Sequence, residues 1–331
     1  MSEFERYARA ALRRARRLQR QVVARRRGPG HHEPVAAAEP APKPTPSRST
    51  PVQRPMLTRR RFTTTLPAPA GTPPLPPLAI EAPLDAYVPE RLEKVGLAGY
   101  EPDTLAAWCT ALEQRPQGLV YDIGANIGVF ALTAGLLVRA GLTPRHELIA
   151  IEPTPDLVEV ARALLGRNHL DAVVLACAFG RERTTATFHL SDKSDASSSL
   201  NEKFRPSTRK IEVAIERLDD EVAARGGIPT LLKIDTETTE PDVLEGGMAT
   251  VERHRPWMIC EVLPGRGAEE RLQPMLDGLG YRTYRLDGGA AASEGPLAGD
   301  TEYTYLNWLL APEAPDAAFW SRTAAWRDAW R

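Results

Sequence analysis

The run Val120-Tyr121-Asp122-Ile123-Gly124-Ala125-Asn126-Ile127-Gly128 constrains this chain more than any other segment. An apolar stretch closing on Asp-x-Gly-x-x-x-Gly reads as a buried strand that turns sharply into a helix, the corner at which doubly wound sheets hold a nucleotide-like ligand. Gly124 permits the tight turn and a close backbone approach, Gly128 permits close helix packing, and the helix N-terminus offers N–H groups to a carboxylate or hydroxyl. A Gly-rich turn alone is a weak signal, since glycines also shape plain strand–helix corners. Its weight comes from the next apolar run, Leu148-Ile149-Ala150-Ile151, which ends in Glu152. That acid stands at roughly the 20-residue offset at which such folds set a carboxylate against ribose hydroxyls.

The spacing departs from the dinucleotide fingerprint G-x-G-x-x-G, because Asn126 holds the middle glycine position and an acid, Asp122, ends the strand. A pyrophosphate is a double anion that Asp122 would repel, whereas an ammonium and a cationic sulfur would be favoured by it. The pattern therefore points to S-adenosylmethionine. Asp122, Gly124, Asn126 and Gly128 are assigned to its methionine end and Glu152 to the ribose hydroxyls, with the adenine expected near Ala178 and Phe179. Two other classes stay open on the residues alone: a nicotinamide-dependent oxidoreductase, and a noncatalytic module that uses the sheet as a scaffold.

The formal net charge of −1 over 331 residues hides an asymmetry. Residues 1–30 carry ten arginines against Glu3 and Glu5, so the remainder is acidic. A short basic helix over 3–27 is conceivable, too charged to span a membrane and without the apolar core of a secretory signal. Adhesion to an anionic membrane surface or an acidic partner is the functional reading, and a solvated arm the plain one; no specific nucleic acid is expected. Residues 28 to about 80 hold roughly half of the prolines, which reads as an extended linker. The expected division is a largely disordered tail and linker over 1–81 and a single catalytic domain over 82–331.

Cys109, Cys177 and Cys260 are too dispersed for a metal site or a disulfide framework and are expected to be small buried thiols. That usage suits a reducing cytosol, so a cytoplasmic location is expected, peripheral to the membrane if the basic tail engages it.

Across the body, strand-like and helix-like segments alternate, which predicts a parallel sheet covered on both faces. Strands are expected at Leu119–Ile123, Glu147–Ile151, Ala172–Phe179, Thr230–Ile234 and Trp257–Val262, with helices over 102–113, 128–140, from Asp156 onward, 241–252 and 268–279. Thr187–Leu190 and Ile211–Ile215 alternate as strands around a Ser-rich loop. Tyr281–Leu286 and Tyr303–Leu310 have no helical pattern between them and are expected to pair antiparallel at the sheet edge.

An α/β, Rossmann-like, mostly parallel seven-stranded sheet with a C-terminal antiparallel hairpin is the class I methyltransferase arrangement. Within that class the chain resembles the FkbM family of S-adenosylmethionine-dependent methyltransferases. The resemblance rests on Asp122 to Gly128, Glu152-Pro153, Ser197 to Leu200, Leu218-Asp219, Lys233-Ile-Asp235, Glu237, Glu240, Val243-Leu244, Gly246, Glu261 and Asn307. It covers roughly residues 87–312. The family usually carries Gly where this chain has Thr238, which bears on the local turn and the acceptor side.

The resemblance implies methyl transfer to an oxygen, commonly a hydroxyl of a sugar, glycan or polyketide-type natural product. In-line displacement needs the acceptor oxygen aligned, and an aliphatic hydroxyl must lose its proton as the new bond forms. The candidate bases are Asp235, Glu237, Glu240 and Glu261, at or just beyond the ends of strands four and five, with Asp235 or Glu237 preferred. Glu240, just ahead of Pro241, suits a structural place at a helix start. No metal is assigned, although an Asp235/Glu237/Glu240 set has the chemistry to hold Mg²⁺. His189 is weighed as a base and as a locally satisfied strand residue, and the Ser197–Ser199 loop as a cap over the acceptor.

Overall fold

The computed structural model describes residues 59–331, apart from Lys193, Ala290 and Ala291. The basic segment and most of the proline-rich stretch lie outside the described residues. The described chain opens with a hairpin where a linker was expected: β1 (Arg59–Thr64) pairs antiparallel with β2 (Leu78–Pro83). The boundary expected at Ala82 therefore falls inside a strand. Leu78, Ile80 and Ala82 alternate inward and are buried in the main core together with Leu66 and Leu75. Two short strands separated by prolines have too few residues for that alternation to stand out against the proline density.

Helix α1 (Tyr87–Val95) and helix α2 (Pro102–Gln114) precede the central strand β3 (Leu119–Ile123). Then follow α3 (Val129–Arg139), β4 (Glu147–Ile151), α4 (Pro155–Arg167) and β5 (Val173–Leu175). The third expected strand is cut in two, because β6 (Ala178–Phe179) leaves the main sheet. It pairs in parallel with β8 (Arg209–Glu216), which pairs antiparallel with β7 (Thr184–Leu190). After α5 (Leu218–Arg225) come β9 (Pro229–Ile234), α6 (Glu240–Gly246) and α7 (Met248–His254). The single helix expected over 241–252 is thus broken at Gly247, which lies against Leu218. The chain ends with β10 (Trp257–Glu261), α8 (Ala268–Leu279), β11 (Arg282–Arg285), β12 (Ser293–Glu294), β13 (Asn307–Ala311) and α9 (Ala317–Asp328).

The main sheet runs β12-β11-β13-β10-β9-β3-β4-β5. β5, β4, β3, β9 and β10 are parallel, and β13 is antiparallel to both β10 and β11. The expected antiparallel pair therefore forms, with its returning strand interior and the two-residue β12 at the edge. β3, β9 and β10 are buried along their whole length, as strands covered on both faces must be. Val120 joins the core shared with α1 to α4 and α9, whereas Leu119, Tyr121 and Ile123 join the core shared with α5 to α8.

Helices α1, α5 and α9 are not among those expected from the sequence. Arg322 of α9 grips Glu113 of α2 through Nε and an Nη at 2.6 Å each, the fork-on-fork geometry that fixes orientation as well as distance. The three cysteines are free and buried. Among the described residues, no helix is long and apolar enough to cross a membrane.

Candidate active site

The chain winds from β3 toward β4 and β5, then returns to the other side of β3 with β9. The crevice at the carboxyl ends of β3 and β9 is thus the switch point at which open α/β sheets take ligands. At this point Gly124 is required by a neighbour within the protein. Its φ is +85°, and a Cβ there would lie 1.7 Å from the carbonyl oxygen of Asp235. The sequence marks the tight turn but not this backbone neighbour. Asn126 also has positive φ, at 52°, and its Oδ1 accepts from Ile127 N–H at 2.8 Å, which explains how a non-glycine holds the middle position. Gly128 caps α3, with Ala161 of α4 at ordinary contact distance from where its Cβ would be.

Asp122 is not among the residues that line the cavity. It is 3% exposed, and its Oδ2 accepts from Ala131 N–H at 3.1 Å in the first turn of α3. Burial pushes its carboxyl up to about 7, with Lys233 opposing. Gly128 likewise lies off the wall of the cavity, where it shapes the helix start. Glu152 does face the cavity. Its two oxygens accept from Asn126 N–H at 2.9 Å and Thr154 N–H at 2.8 Å, so two turns share one carboxylate.

The cavity has a volume of about 690 Å³, ample for a nucleotide-sized ligand. Gly124, Asn126, Glu152, Ala178 and Phe179 lie on its walls, as do Asp235, Glu237 and Glu261. Phe179 also belongs to the core, with its ring centroid 6.5 Å from that of Tyr121. His189 is off the wall: its Nδ1 meets Ser207 Oγ at 3.3 Å and its backbone pairs with Ser199, which leaves the locally satisfied reading.

The acidic side is built around Lys233, which is 2% exposed and places Nζ 2.6 Å from Asp235 Oδ2 and 4.4 Å from the Phe130 ring centroid. Burial opposes its charge, but Asp235, Glu101 and Asp122 outweigh burial and hold the ammonium above the ordinary lysine range. Glu240 is structural: its Oε1 accepts from Thr236 N–H and Oγ1 and from Thr238 N–H. Glu237 and Thr238 both have positive φ, 58° and 91°. Thr238 thus holds a glycine-like backbone with a β-branched side chain, a conformation that costs on the order of 1–3 kcal/mol unless the surroundings impose it. Here they do, since Asn201 Nδ2 donates to Thr238 Oγ1 at 3.0 Å and Ser199 Oγ donates to Glu237 O at 2.6 Å. The Ser-rich loop is therefore tied to the turn that carries Glu237.

Burial and the nearby Asp235 and Glu240 push the Glu237 carboxyl up to about 9. Burial, with Asp235, Glu237 and Glu240, holds Glu261 well above the usual carboxylate range. Two wall residues had been passed over. Glu101, with φ 44° at the start of α2, accepts from Asn307 Nδ2 at 3.2 Å, and Tyr100 stands beside it. Nothing local in the sequence marks Glu101, because only tertiary packing brings it to Lys233.

Residues 122–286 match the methyltransferase FkbM domain family. The chain is 30% identical over 220 residues to the 31-O-demethyl-FK506 methyltransferase FkbM of Streptomyces tacrolimicus, a match spanning 58% of this chain and 80% of that protein. The chain belongs to the FkbM methyltransferase family. As a family member it is an S-adenosylmethionine-dependent methyltransferase. Among solved structures, the methyltransferase FkbM from Methylobacillus flagellatus KT is 18% identical with a TM-score of 0.40, covering 59% of this chain and 43% of its own. This chain thus spans less than half the length of that relative. An O-methyltransferase from Bacillus cereus in complex with SAH is 11% identical with a TM-score of 0.36, covering 64% of this chain and 80% of its own.

The residues of this FkbM-family chain suit the cofactor. Glu152 brings a fixed carboxylate to the cavity, Ala178 and Phe179 bring an apolar surface, and Asp235 brings negative charge, a set of groups that suits hydroxyls, a flat ring and a sulfonium.

Proposed function

We propose that this enzyme transfers a methyl group to a hydroxyl oxygen of a sugar, glycan or polyketide-type acceptor, with Asp235 as the base. The observation that carries the reading is the convergence on one cavity of Gly124 and Glu152 with the carboxylates of Asp235, Glu237 and Glu261. The Streptomyces relative's name also places its methyl group on an oxygen.

When bound, the cofactor supplies an electrophilic methyl group. Glu152 takes the ribose hydroxyls, Gly124 and Asn126 line the methionine end, and Ala178 and Phe179 pack against the adenine. Burial and mutual repulsion, as given above, favour the protonated forms of Glu237 and Glu261, which serve as hydrogen-bond donors that orient the acceptor. Asp235, ion-paired with Lys233, takes the hydroxyl proton as the oxygen–carbon bond forms. The Ser197 and Ser198 hydroxyls on the same wall hold further acceptor oxygens.

The test uses the full chain. Calorimetry is expected to show binding of S-adenosylmethionine and S-adenosylhomocysteine and none of NADH. Methyl transfer from labelled cofactor to a panel of hydroxylated acceptors then tests the chemistry. Asp235→Asn is expected to lower kcat by about 10²- to 10⁴-fold with S-adenosylhomocysteine affinity little changed. A folded chain that ignores both sulfur nucleotides overturns the reading, and an Asp235→Asn variant of normal rate overturns the base. Glu152→Ala binding the cofactor as tightly as the parent would sink the ribose assignment.

A further inference from the structure

We propose that Asp235, Glu237 and Glu261 form a binding site for one hard divalent cation, with the side-chain oxygen of Asn307 as a further ligand. One carboxylate oxygen from each of the three acids lies within 4.8 Å of the others. Hard divalent cations hold oxygens at about 2.1 Å for Mg²⁺ and about 2.3–2.6 Å for Ca²⁺. Oxygens sharing such a cation are therefore separated by roughly 3 to 3.5 Å when adjacent and by roughly 4 to 5 Å when opposite. The 4.8 Å limit within which the three carboxylates stand is compatible with that spacing.

Proximity of acids alone would not make a site; two orphaned acceptors do. Asn307 is 6% exposed and lies on the cavity wall directly across the β10–β13 pair from Glu261. Its Nδ2 is spent on Glu101, and its Oδ1 is buried with no hydrogen-bond partner. Glu261 is 7% exposed, and its Oε2 is also buried with no partner. Two neighbouring residues therefore bring buried, donorless oxygens to one wall, a costly arrangement that a cation would resolve for both.

The charge balance agrees. Lys233 neutralises Asp235 through Oδ2, and Glu237 and Glu261, which release their protons to solvent as the ion binds, supply the two negative charges that a 2+ ion needs. Glu240, the third member of the set expected from sequence, does not join the cluster, and its Oε1 is held by the Thr236 and Thr238 groups. Glu261 takes its place from the neighbouring strand.

The site rests on this geometry; its use rests on the methyl-transfer reading. A cation here would polarise an acceptor hydroxyl, and it would select acceptors that chelate it through a second adjacent oxygen, such as a vicinal diol or an α-hydroxy carbonyl.

The experiment is a titration of MnCl₂ into the chelator-treated full chain, followed by electron paramagnetic resonance, without cofactor or acceptor. Binding of a single Mn²⁺, displaced by MgCl₂, is expected, weakened about tenfold or more in Glu261→Gln and in Asn307→Ser. Retained S-adenosylhomocysteine affinity shows that each variant is folded, and Glu237→Gln replaces Glu261→Gln if the latter is not. A folded parent that binds no Mn²⁺, or folded variants that bind it like the parent, overturns the site. Neither readout depends on methyl transfer, so failure of the site and failure of the proposed function are told apart.

Discussion

On the β3–α3 side of the cavity the acids are committed to the backbone: Asp122 to Ala131 N–H, and Glu152 to the N–H groups of Asn126 and Thr154. On the β9–α6 side three carboxylates crowd together, two successive residues have positive φ, and buried oxygens lack donors. Both walls grow from the same kind of strand–turn unit. The first spends its polar groups on holding its own shape. The second keeps polar groups in reserve, at a cost in stability, and strain and raised carboxyl pKa values gather where a protein handles a substrate.

The contrast is broken most severely at the point where the walls touch. Gly124→Ala drives a Cβ into the carbonyl of Asp235 and demands an L-residue at φ +85°. It is expected to cost about 3 kcal/mol or more in denaturant unfolding and to abolish cofactor binding, although Gly124 belongs to the satisfied wall.

Glu240 is the one acid of the second wall that behaves like those of the first. Glu240→Ala strands the Thr236 and Thr238 N–H groups and is expected to destabilise by about 2–3 kcal/mol, whereas Glu240→Gln keeps an acceptor oxygen and costs less. Equal losses in the two variants would show that charge, rather than hydrogen bonding, fixes the turn.

The smallest effect concerns pH. Asp122 and Glu240 are held up to about 7 and Glu237 to about 9, all above their ordinary values near 4. Such groups bind protons more tightly folded than unfolded, so their contribution is complete below about pH 4 and is lost as pH rises through the folded values. In cation-free buffer the melting temperature of the full chain is expected to fall from pH 5 to pH 9. Glu237→Gln should flatten the part above pH 7; a profile unchanged in that variant would place the repulsion elsewhere.

The difference between the walls also explains what the sequence made legible. The apolar runs ending at Ile123, Ile151, Ile234 and Glu261 are strong period signals, so the parallel core and the carboxylates at its strand ends could be read directly. The β1–β2 hairpin was hidden by prolines, and the break at Gly247 by a continuous helical pattern. Which way a side chain turns is not local information. Asp122 and Glu152 both read as strand-terminal acids, yet Asp122 is engaged by Ala131 N–H in α3 while Glu152 lies on the cavity wall. Thr238 was visible as a departure from the family's glycine, but its support by Asn201 depends on a loop brought in from the β7–β8 insertion.

The placement of β9 beside β3 also governs how the molecule is made. Leu119 pairs with Pro229, and Ile123 with Ile234, across a long intervening stretch of chain. During synthesis β3 to β5 emerge well before β9, so the largely apolar β3 would present an open edge to other chains until its neighbour arrives. Closure of that long loop makes for slow folding, and the acidic wall is the last part of the site to exist. A partly synthesised chain would thus be prone to aggregate before it had any means of handling an acceptor.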